Sequence, residues 1–233
     1  SFDQSTVNGF DYANFAFAST VSGFQLGKSG TALTQSIKPI RLQSIVSIAG
    51  PISIYGSNIT TDNALTTTGT SDDITMQATG TVTNSAALTT TGATSNVLIT
   101  GTNLSTTAIT ATGNVTLTGS GTVASSGTLT ASGTGSTVTT SGTTMTNTAV
   151  TANAGISITG TAGVTASGTL TTSGTLAPVS ISGTNLSVAA ITSTGDVTLT
   201  GSGTVTASGT VAASGAGEVV SASGTTMSFA AVS

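Results

Sequence analysis

The sequence contains no cysteine, no histidine and no tryptophan, and only 4% of its 233 residues are charged. Without cysteine and histidine, the usual zinc sites, disulfide bonds and histidine-dependent catalytic triads are excluded. The cations are Lys28, Lys38 and Arg41, so the chain lacks the basic surface that binding to nucleic-acid phosphates requires. No run of roughly 18 apolar residues occurs, and we therefore predict no membrane-spanning helix.

The scarcity of charge does not indicate a disordered chain. Disordered segments have low hydrophobicity, whereas 36% of these residues are hydrophobic and the mean hydropathy is +0.36. The net charge is −4 and the chain contains 30 glycines. We therefore expect a folded protein with an apolar interior and a surface made mainly of serine, threonine and glycine.

Internal repeats dominate the chain. The motifs GTNLS, GTTMT, GTNLS and GTTMS recur at a constant 41-residue interval, beginning at Gly101, Gly142, Gly183 and Gly224. A weaker marker, an aliphatic residue followed by small or hydroxyl-bearing residues, recurs at half that interval. It begins at Leu88, Ile109, Leu129, Val150, Leu170, Ile191 and Val211. Self-similarity at a fixed period of this length is typical of solenoid proteins.

Each repeat unit, about 20–21 residues long, contains three short stretches in which apolar and polar residues alternate, separated by Gly, Ser and Asn turns. Alternation with period two indicates β-strands. We therefore predict an all-β parallel β-helix (β-solenoid) with three strands per coil and a 41-residue double-coil repeat. Val115 and Leu117 are expected to point inward, as are the stacked residues Ile109, Leu129, Val150, Leu170 and Ile191.

The chain divides into two regions by composition. Residues 1–46 contain all three cations and most of the aromatic residues, and we predict irregular N-terminal coils or a cap there. Residues 47–233 are predicted to form the regular Thr/Ser/Gly-rich β-solenoid. Five of the six phenylalanines lie in the N-terminal region: Phe2, Phe10, Phe15, Phe17 and Phe24.

The stretch SIAGPISIYGSNITTDNALTTTG, from Ser47 to Gly69, resembles large secreted bacterial adhesins of the filamentous-haemagglutinin type. The similarity covers about residues 40–233. It implies a right-handed β-helical shaft that is exported through the outer membrane and held at, or released from, the cell surface. The secretion-domain signature of that family is not present, and no binding residue of the family can be transferred to this chain.

The acidic residues do not predict a reaction centre. No two of them recur at matching coil positions, as paired catalytic carboxylates in a solenoid cleft would. Asp62 with Asp72 and Asp73 is a candidate calcium site, since carboxylate oxygens suit that ion, but a polar loop explains them equally well. We accordingly predict no enzyme activity, and no catalytic, cofactor-binding or metal-binding residue and no cofactor.

Two further patterns involve hydroxyl groups and asparagines. Thr110 and Thr112, and Thr192 and Thr194, are predicted to form outward pairs that resemble the flat faces of ice-binding β-helices. The intervening pairs are Thr130/Ser132, Thr151/Asn153 and Thr171/Ser173, and the series ends at Ala212/Ser214. Asn58, Asn103, Asn114 and Asn185 begin Asn-x-Ser/Thr sequences, the pattern of glycan attachment sites. Turn geometry explains them equally well, because asparagine tolerates left-handed backbone conformations.

Three functions therefore stay open. The first is an extracellular structural shaft or fibre of a bacterial surface protein in adhesion or biofilm, with a cell-surface or matrix ligand. The second is a protomer that stacks on copies of itself end to end to form a filament, because both ends fall inside the coil pattern and exposed strand edges pair readily. The third is ice binding. Each is extracellular or at the bacterial cell surface, without a nucleic-acid partner or a membrane span.

Overall fold

The computed structural model describes residues 10–12, 21–29 and 38–233, and within these residues the chain consists of β-strands and turns without a helix. The first twelve strands are β1 (Phe10–Tyr12), β2 (Phe24–Leu26), β3 (Ile40–Leu42), β4 (Val46–Ile48), β5 (Ile52–Gly56), β6 (Ile59–Thr61), β7 (Leu65–Thr67), β8 (Ile74–Ala78), β9 (Val82–Asn84), β10 (Leu88–Thr90), β11 (Val97–Gly101) and β12 (Leu104–Thr106). The remaining twelve are β13 (Ile109–Ala111), β14 (Val115–Gly119), β15 (Thr122–Ser125), β16 (Leu129–Ala131), β17 (Thr137–Asn147), β18 (Val150–Ala152), β19 (Gly155–Thr172), β20 (Val179–Ser193), β21 (Val197–Gly201), β22 (Thr204–Ala213), β23 (Val220–Ser223) and β24 (Thr226–Val232).

The strands stack into a rod with three sides. Every pairing is parallel and joins a strand to the equivalent strand one turn earlier or later. We name the sides by their position in a turn. Side I contains Val115–Gly119 and its equivalents, side II contains Leu104–Thr106 and its equivalents, and side III contains Ile109–Ala111 and its equivalents. The longer strands β17, β19, β20, β22 and β24 continue around one or two corners.

The predicted parallel β-solenoid is confirmed, with about nine turns. On side III, Ile109 pairs with Leu129, and Leu129 pairs with Val150. These are the partners that the repeat markers predict, so the spacing read from the sequence holds on this side. The right-handed winding that the family resemblance implies stays a prediction.

The spacing differs on sides I and II, where long and short steps alternate. Val115 pairs with Val138, whereas Val138 pairs with Ile156, so a 23-residue step is followed by an 18-residue step. The corner between sides III and I is the main source of this alternation, since three residues, 112–114, precede Val115 in one turn and six residues, 132–137, precede Val138 in the next. One long step and one short step together span one 41-residue interval, which is the physical basis of the double-coil repeat.

The longer corners contain a tight turn with a left-handed residue. In the turn from Gly133 to Ser136, the Ser136 amide donates to the Gly133 carbonyl at 3.0 Å, and Gly135 has φ +79°. Glycine adopts this conformation without steric cost. The equivalent residue in the next double-coil repeat is Leu176, whose φ is 52° and whose side chain is 59% exposed. A leucine costs about 1–2 kcal/mol more than glycine in this backbone region.

The interior is a continuous column of aliphatic side chains. Val115 and Leu117 are fully buried, as predicted, and so is the predicted stack Ile109, Leu129, Val150, Leu170 and Ile191. Close packing extends to the corners: a Cβ atom on Gly119, at the end of β14, would lie 2.6 Å from Val123 Cγ2. At Gly119 there is thus no space for a side chain, whereas the equivalent position nearer the N-terminus accommodates the alanine Ala78.

The described parts of residues 1–46 contain strands that belong to the same stack. β1 pairs with β3, and β2 pairs with β5 through Phe24 and Ile52. Phe24 is 8% exposed and joins the core. Phe2, Phe15 and Phe17, which we expected in the N-terminal coils or cap, lie outside the described residues. The boundary between residues 1–46 and 47–233 stays a prediction.

We predict that Leu117→Asp unfolds the rod, whereas Thr118→Asp leaves it folded. The Leu117 side chain is buried between the Ile99 and Thr140 positions of adjacent turns, and the Thr118 side chain is exposed on the same strand. An unpaired carboxylate in the interior should cost more than about 4 kcal/mol of unfolding free energy. Thermal unfolding followed by circular dichroism measures both variants. Wild-type stability of Leu117→Asp would refute the inward assignment.

Candidate functional site: the hydroxyl-bearing sides and the corners

Side I carries two parallel columns of small hydroxyl side chains. The five-residue strands on this side place two outward side chains on each turn, and the parallel register aligns them from turn to turn. Neighbouring hydroxyls come within bonding distance, as Ser182 Oγ does at 3.3 Å from Thr159 Oγ1. The columns run through Thr116/Thr118, Thr139/Ser141, Ser157/Thr159, Ser180/Ser182, Thr198/Thr200 and Ser221/Ser223.

Larger side chains interrupt both columns nearer the N-terminus. Thr116 aligns with Leu98 on the preceding turn, and Leu98 is 38% exposed. In the other column, Tyr55 aligns with Gln77, and Gln77 aligns with Thr100. These are the only departures from Ser and Thr in the two columns between Ser53 and Ser223. The regular hydroxyl surface of side I therefore extends over the second half of the rod.

Side III has one hydroxyl column where the sequence predicted outward pairs. The first member of each predicted pair stacks in register, so Thr110 aligns with Thr130, and the column extends from Ser47 to Thr192. The second member lies beyond the strand, and its hydroxyl bonds to the preceding turn. Thr112 Oγ1 donates to the Gly92 carbonyl and Thr194 Oγ1 to the Gly174 carbonyl. The outward Thr-x-Thr pairs on this side stay a prediction, and in both of them a backbone carbonyl at the corner takes the second hydroxyl.

The asparagines of the Asn-x-Ser/Thr sequences connect successive turns. Asn58 Oδ1 accepts from the Thr81 amide at 2.8 Å, and Asn114 Oδ1 accepts from the Thr137 amide at 2.8 Å. Asn103 and Asn185 accept in the same way from Thr122 and Thr204, each at 2.9 Å. The positive-φ residues in the described part of the chain, glycine aside, are Ser71, Thr94 and Leu176. Left-handed backbone geometry therefore does not explain these asparagines. They satisfy backbone amides that the corners would leave without a partner.

The candidate calcium site does not assemble. Asp62 Oδ2 accepts from Arg41 Nε at 2.8 Å at the corner between sides II and III. Asp72 and Asp73 lie at the next corner, where Asp73 Oδ1 accepts from the Asn96 amide at 2.7 Å. Throughout residues 21–29 and 38–233, no group of three acidic, cysteine or histidine side chains could hold one metal ion.

Asp196 and Glu218 contact each other although they do not occupy matching coil positions, since Asp196 aligns with Val219. The two residues lie on successive turns at the corner between sides III and I, and Asp196 Oδ1 also accepts from the Val219 amide at 2.9 Å. Hydrogen bonding to Asp196, with smaller contributions from desolvation and charge repulsion, raises the pKa of Glu218 above its ordinary value. Sequence reasoning missed this contact because the two residues are separated by a long corner rather than by the mean period.

No known protein family, curated protein or solved structure matches the chain. The described residues also form no helix with the length and hydrophobicity needed to cross a bilayer. Shape, hydrogen bonding and surface chemistry are therefore the observations that bear on function.

We predict that Asp196→Ala lowers the pKa of Glu218 toward its ordinary value, because the hydrogen bond to Asp196 is lost and its charge is removed. The raised pKa means that the protonated form of Glu218 is favoured in the folded state. The associated stability is present at low pH and is lost as pH rises through the folded-state pKa. Carbon-13 NMR titration of the Glu218 carboxyl measures the shift. Titration of Glu218 at the same pH in both proteins would contradict the proposed contact.

Proposed function

We propose that the chain is a structural β-solenoid shaft of a bacterial surface protein and acts outside the cell in adhesion or biofilm. The observation that carries the proposal is the uninterrupted parallel stack, in which each turn pairs with the turns before and after it. Each turn adds about 4.8 Å along the axis. About nine turns therefore make a rod roughly 40 Å long, suited to extending or spacing other parts of a surface protein.

The bonding pattern supports a mechanical role. Backbone ladders run along all three sides, and corner side chains add bonds between turns, such as Thr143 Oγ1 to the Ser120 carbonyl at 2.8 Å. A force along the axis therefore loads many hydrogen bonds at once. We propose that the rod works by this resistance to extension, without a chemical reaction or a cofactor.

The composition supports an extracellular location. Arg41 is the last lysine or arginine in the chain, so proteases that require a basic residue find no cleavage site in residues 42–233. The absence of cysteine also suits a chain that is exported before it folds. The resemblance of residues 47–69 to filamentous-haemagglutinin-type adhesins supports the same location and implies a bacterial source.

We predict that display of the chain on a bacterium without surface fibres increases attached biomass several-fold over the undecorated strain. The matched controls are Thr118→Asp, which keeps the fold, and Leu117→Asp, which does not, each displayed at equal surface density. Crystal-violet staining measures attachment, and only wild type and Thr118→Asp should increase it. Equal attachment by all three displayed proteins would contradict a role for the folded rod.

Self-assembly into a filament is a second candidate, and the last turn supports it. Met227 is 50% exposed and Val232 is 54% exposed, although Met145 and Val211 in the same interior columns are fully buried. Strands β23 and β24 pair with β21 and β22 on one edge only among the described strands. We propose that a second copy, stacked end to end, covers this edge and continues the ladders.

For the filament, we predict that Met227→Lys shortens or abolishes assemblies of the purified chain, because it places a charge between stacked turns. Ser228→Lys is the matched control, since Ser228 is the neighbouring residue and points outward on side II. Negative-stain electron microscopy and light scattering measure the length distribution. Single rods at every protein concentration in the wild-type sample would eliminate end-to-end assembly and leave the shaft as the function.

Ice binding has less support than either candidate. On side III the second hydroxyl of both Thr-x-Thr pairs, that of Thr112 and that of Thr194, is bonded to a backbone carbonyl. On side I the double column is regular only after Leu98. An ice-binding role would therefore depend on side I alone, and thermal hysteresis of the purified rod is the corresponding measurement.

A further inference from the structure

One interior column contains most of the buried polar side chains of sides I and II. It is formed by the inward residue at the end of each side II segment, and beyond Leu42 it changes from polar to apolar along the rod. Between Leu42 and Ala207, its members are Leu42, Thr61, Asn84, Thr106, Ser125, Asn147, Ala166, Val188 and Ala207. All of them are buried.

Most polar members of this column have partners. Thr61 Oγ1 donates to Asn84 Oδ1 at 2.6 Å, and Asn84 Nδ2 donates to the carbonyl of Ala86. Thr106 Oγ1 donates to the Ala124 carbonyl at 3.5 Å. Ser125 Oγ bonds to the carbonyls of Thr107 and Gly127, at 3.1 and 2.9 Å. These four buried polar side chains of the column therefore each have a hydrogen-bond partner within the protein.

Asn147 departs from this rule. Its side chain is fully buried, and neither Oδ1 nor Nδ2 has a hydrogen-bond partner in the protein. Thr140, on the same turn, has a buried hydroxyl that likewise lacks one. Buried polar groups without a protein partner are rare in folded proteins, and most are satisfied by ordered water.

The neighbours of Asn147 in the column are small. Ser125 precedes it by one turn and Ala166 follows it by one turn. Val188 fills the equivalent position one turn beyond Ala166, which shows that the column accommodates a larger side chain than alanine. An asparagine between a serine and an alanine therefore has both the polar atoms and the small neighbours that an internal water site needs.

We propose that the interior of the turn at Asn147 binds water, which accepts a hydrogen bond from Nδ2 and donates one to Oδ1. The site is enclosed, because Asn147 is fully buried. In a turn that is held partly through water, hydrogen bonds should break and re-form more readily than in a turn that is held by aliphatic packing. We therefore expect a shaft under load or heat to open first at this turn. This consequence rests on the proposed function, whereas the water site itself does not.

The test uses the full chain and two matched asparagine variants. A high-resolution crystal structure should show ordered water within hydrogen-bonding distance of Asn147 Nδ2 and Oδ1. Hydrogen exchange measured by mass spectrometry should be faster around residues 144–148 than around residues 81–85, the equivalent segment at Asn84. Asn147→Val should slow exchange at residues 144–148 about tenfold, because an apolar side chain replaces a group whose only partner is solvent.

Asn84→Val is the control and should instead accelerate exchange, because it leaves Thr61 Oγ1 without its acceptor. A dry interior at Asn147, or an Asn147 amide bonded to a protein atom, would overturn the proposal. The proposal would also be overturned if Asn84→Val slowed hydrogen exchange at residues 81–85 more than Asn147→Val slowed it at residues 144–148. The crystallographic result is independent of the attachment assay, so failure of the shaft function and failure of the water site are distinguishable.

Discussion

No single turn of this protein can bury its own side chains, and the rest of the structure depends on that constraint. A turn of about 20 residues loses roughly 1–2 kcal/mol of backbone entropy per residue on ordering, while its strands form their ladders only with neighbouring turns. Val115, Val138 and Ile156 illustrate the result, since each packs in register against the next. Stability is thus a property of neighbouring turns together, as in other solenoids, which requires each turn to repeat the pattern of the one before it.

The same constraint shapes the surface. Hydroxyl and amide side chains at the corners bond to the preceding or following turn, as Thr112 and Asn114 do, so much of the polar surface has a structural role. What remains is a nearly uncharged array of Ser and Thr. Departures from uniformity, such as Leu98, Leu176 and the contact between Asp196 and Glu218, are the places where recognition would differ along the rod.

Sequence reasoning succeeded where a single turn contains the whole signal. Val115 and Leu117 alternate with threonines within one strand, and their burial follows from that alternation alone. It did not reach outcomes that depend on the neighbouring turn. Thr112 looks outward in the sequence, but a carbonyl of the preceding turn takes its hydroxyl. Asp196 and Glu218 meet because a long corner separates their turns, and this corner is invisible to a mean period.

By itself, the sequence determined the fold class, the three strands per turn and the identity of the inward residues, because these properties are encoded in local alternation and in the repeat. Only the tertiary structure decided the alternation of long and short steps on sides I and II, the partners of the corner side chains and the unpartnered amide of Asn147. The physical reason is that stacking sets distances between residues that lie one whole turn apart in the chain. Corner length changes those distances without changing the pattern within any one strand.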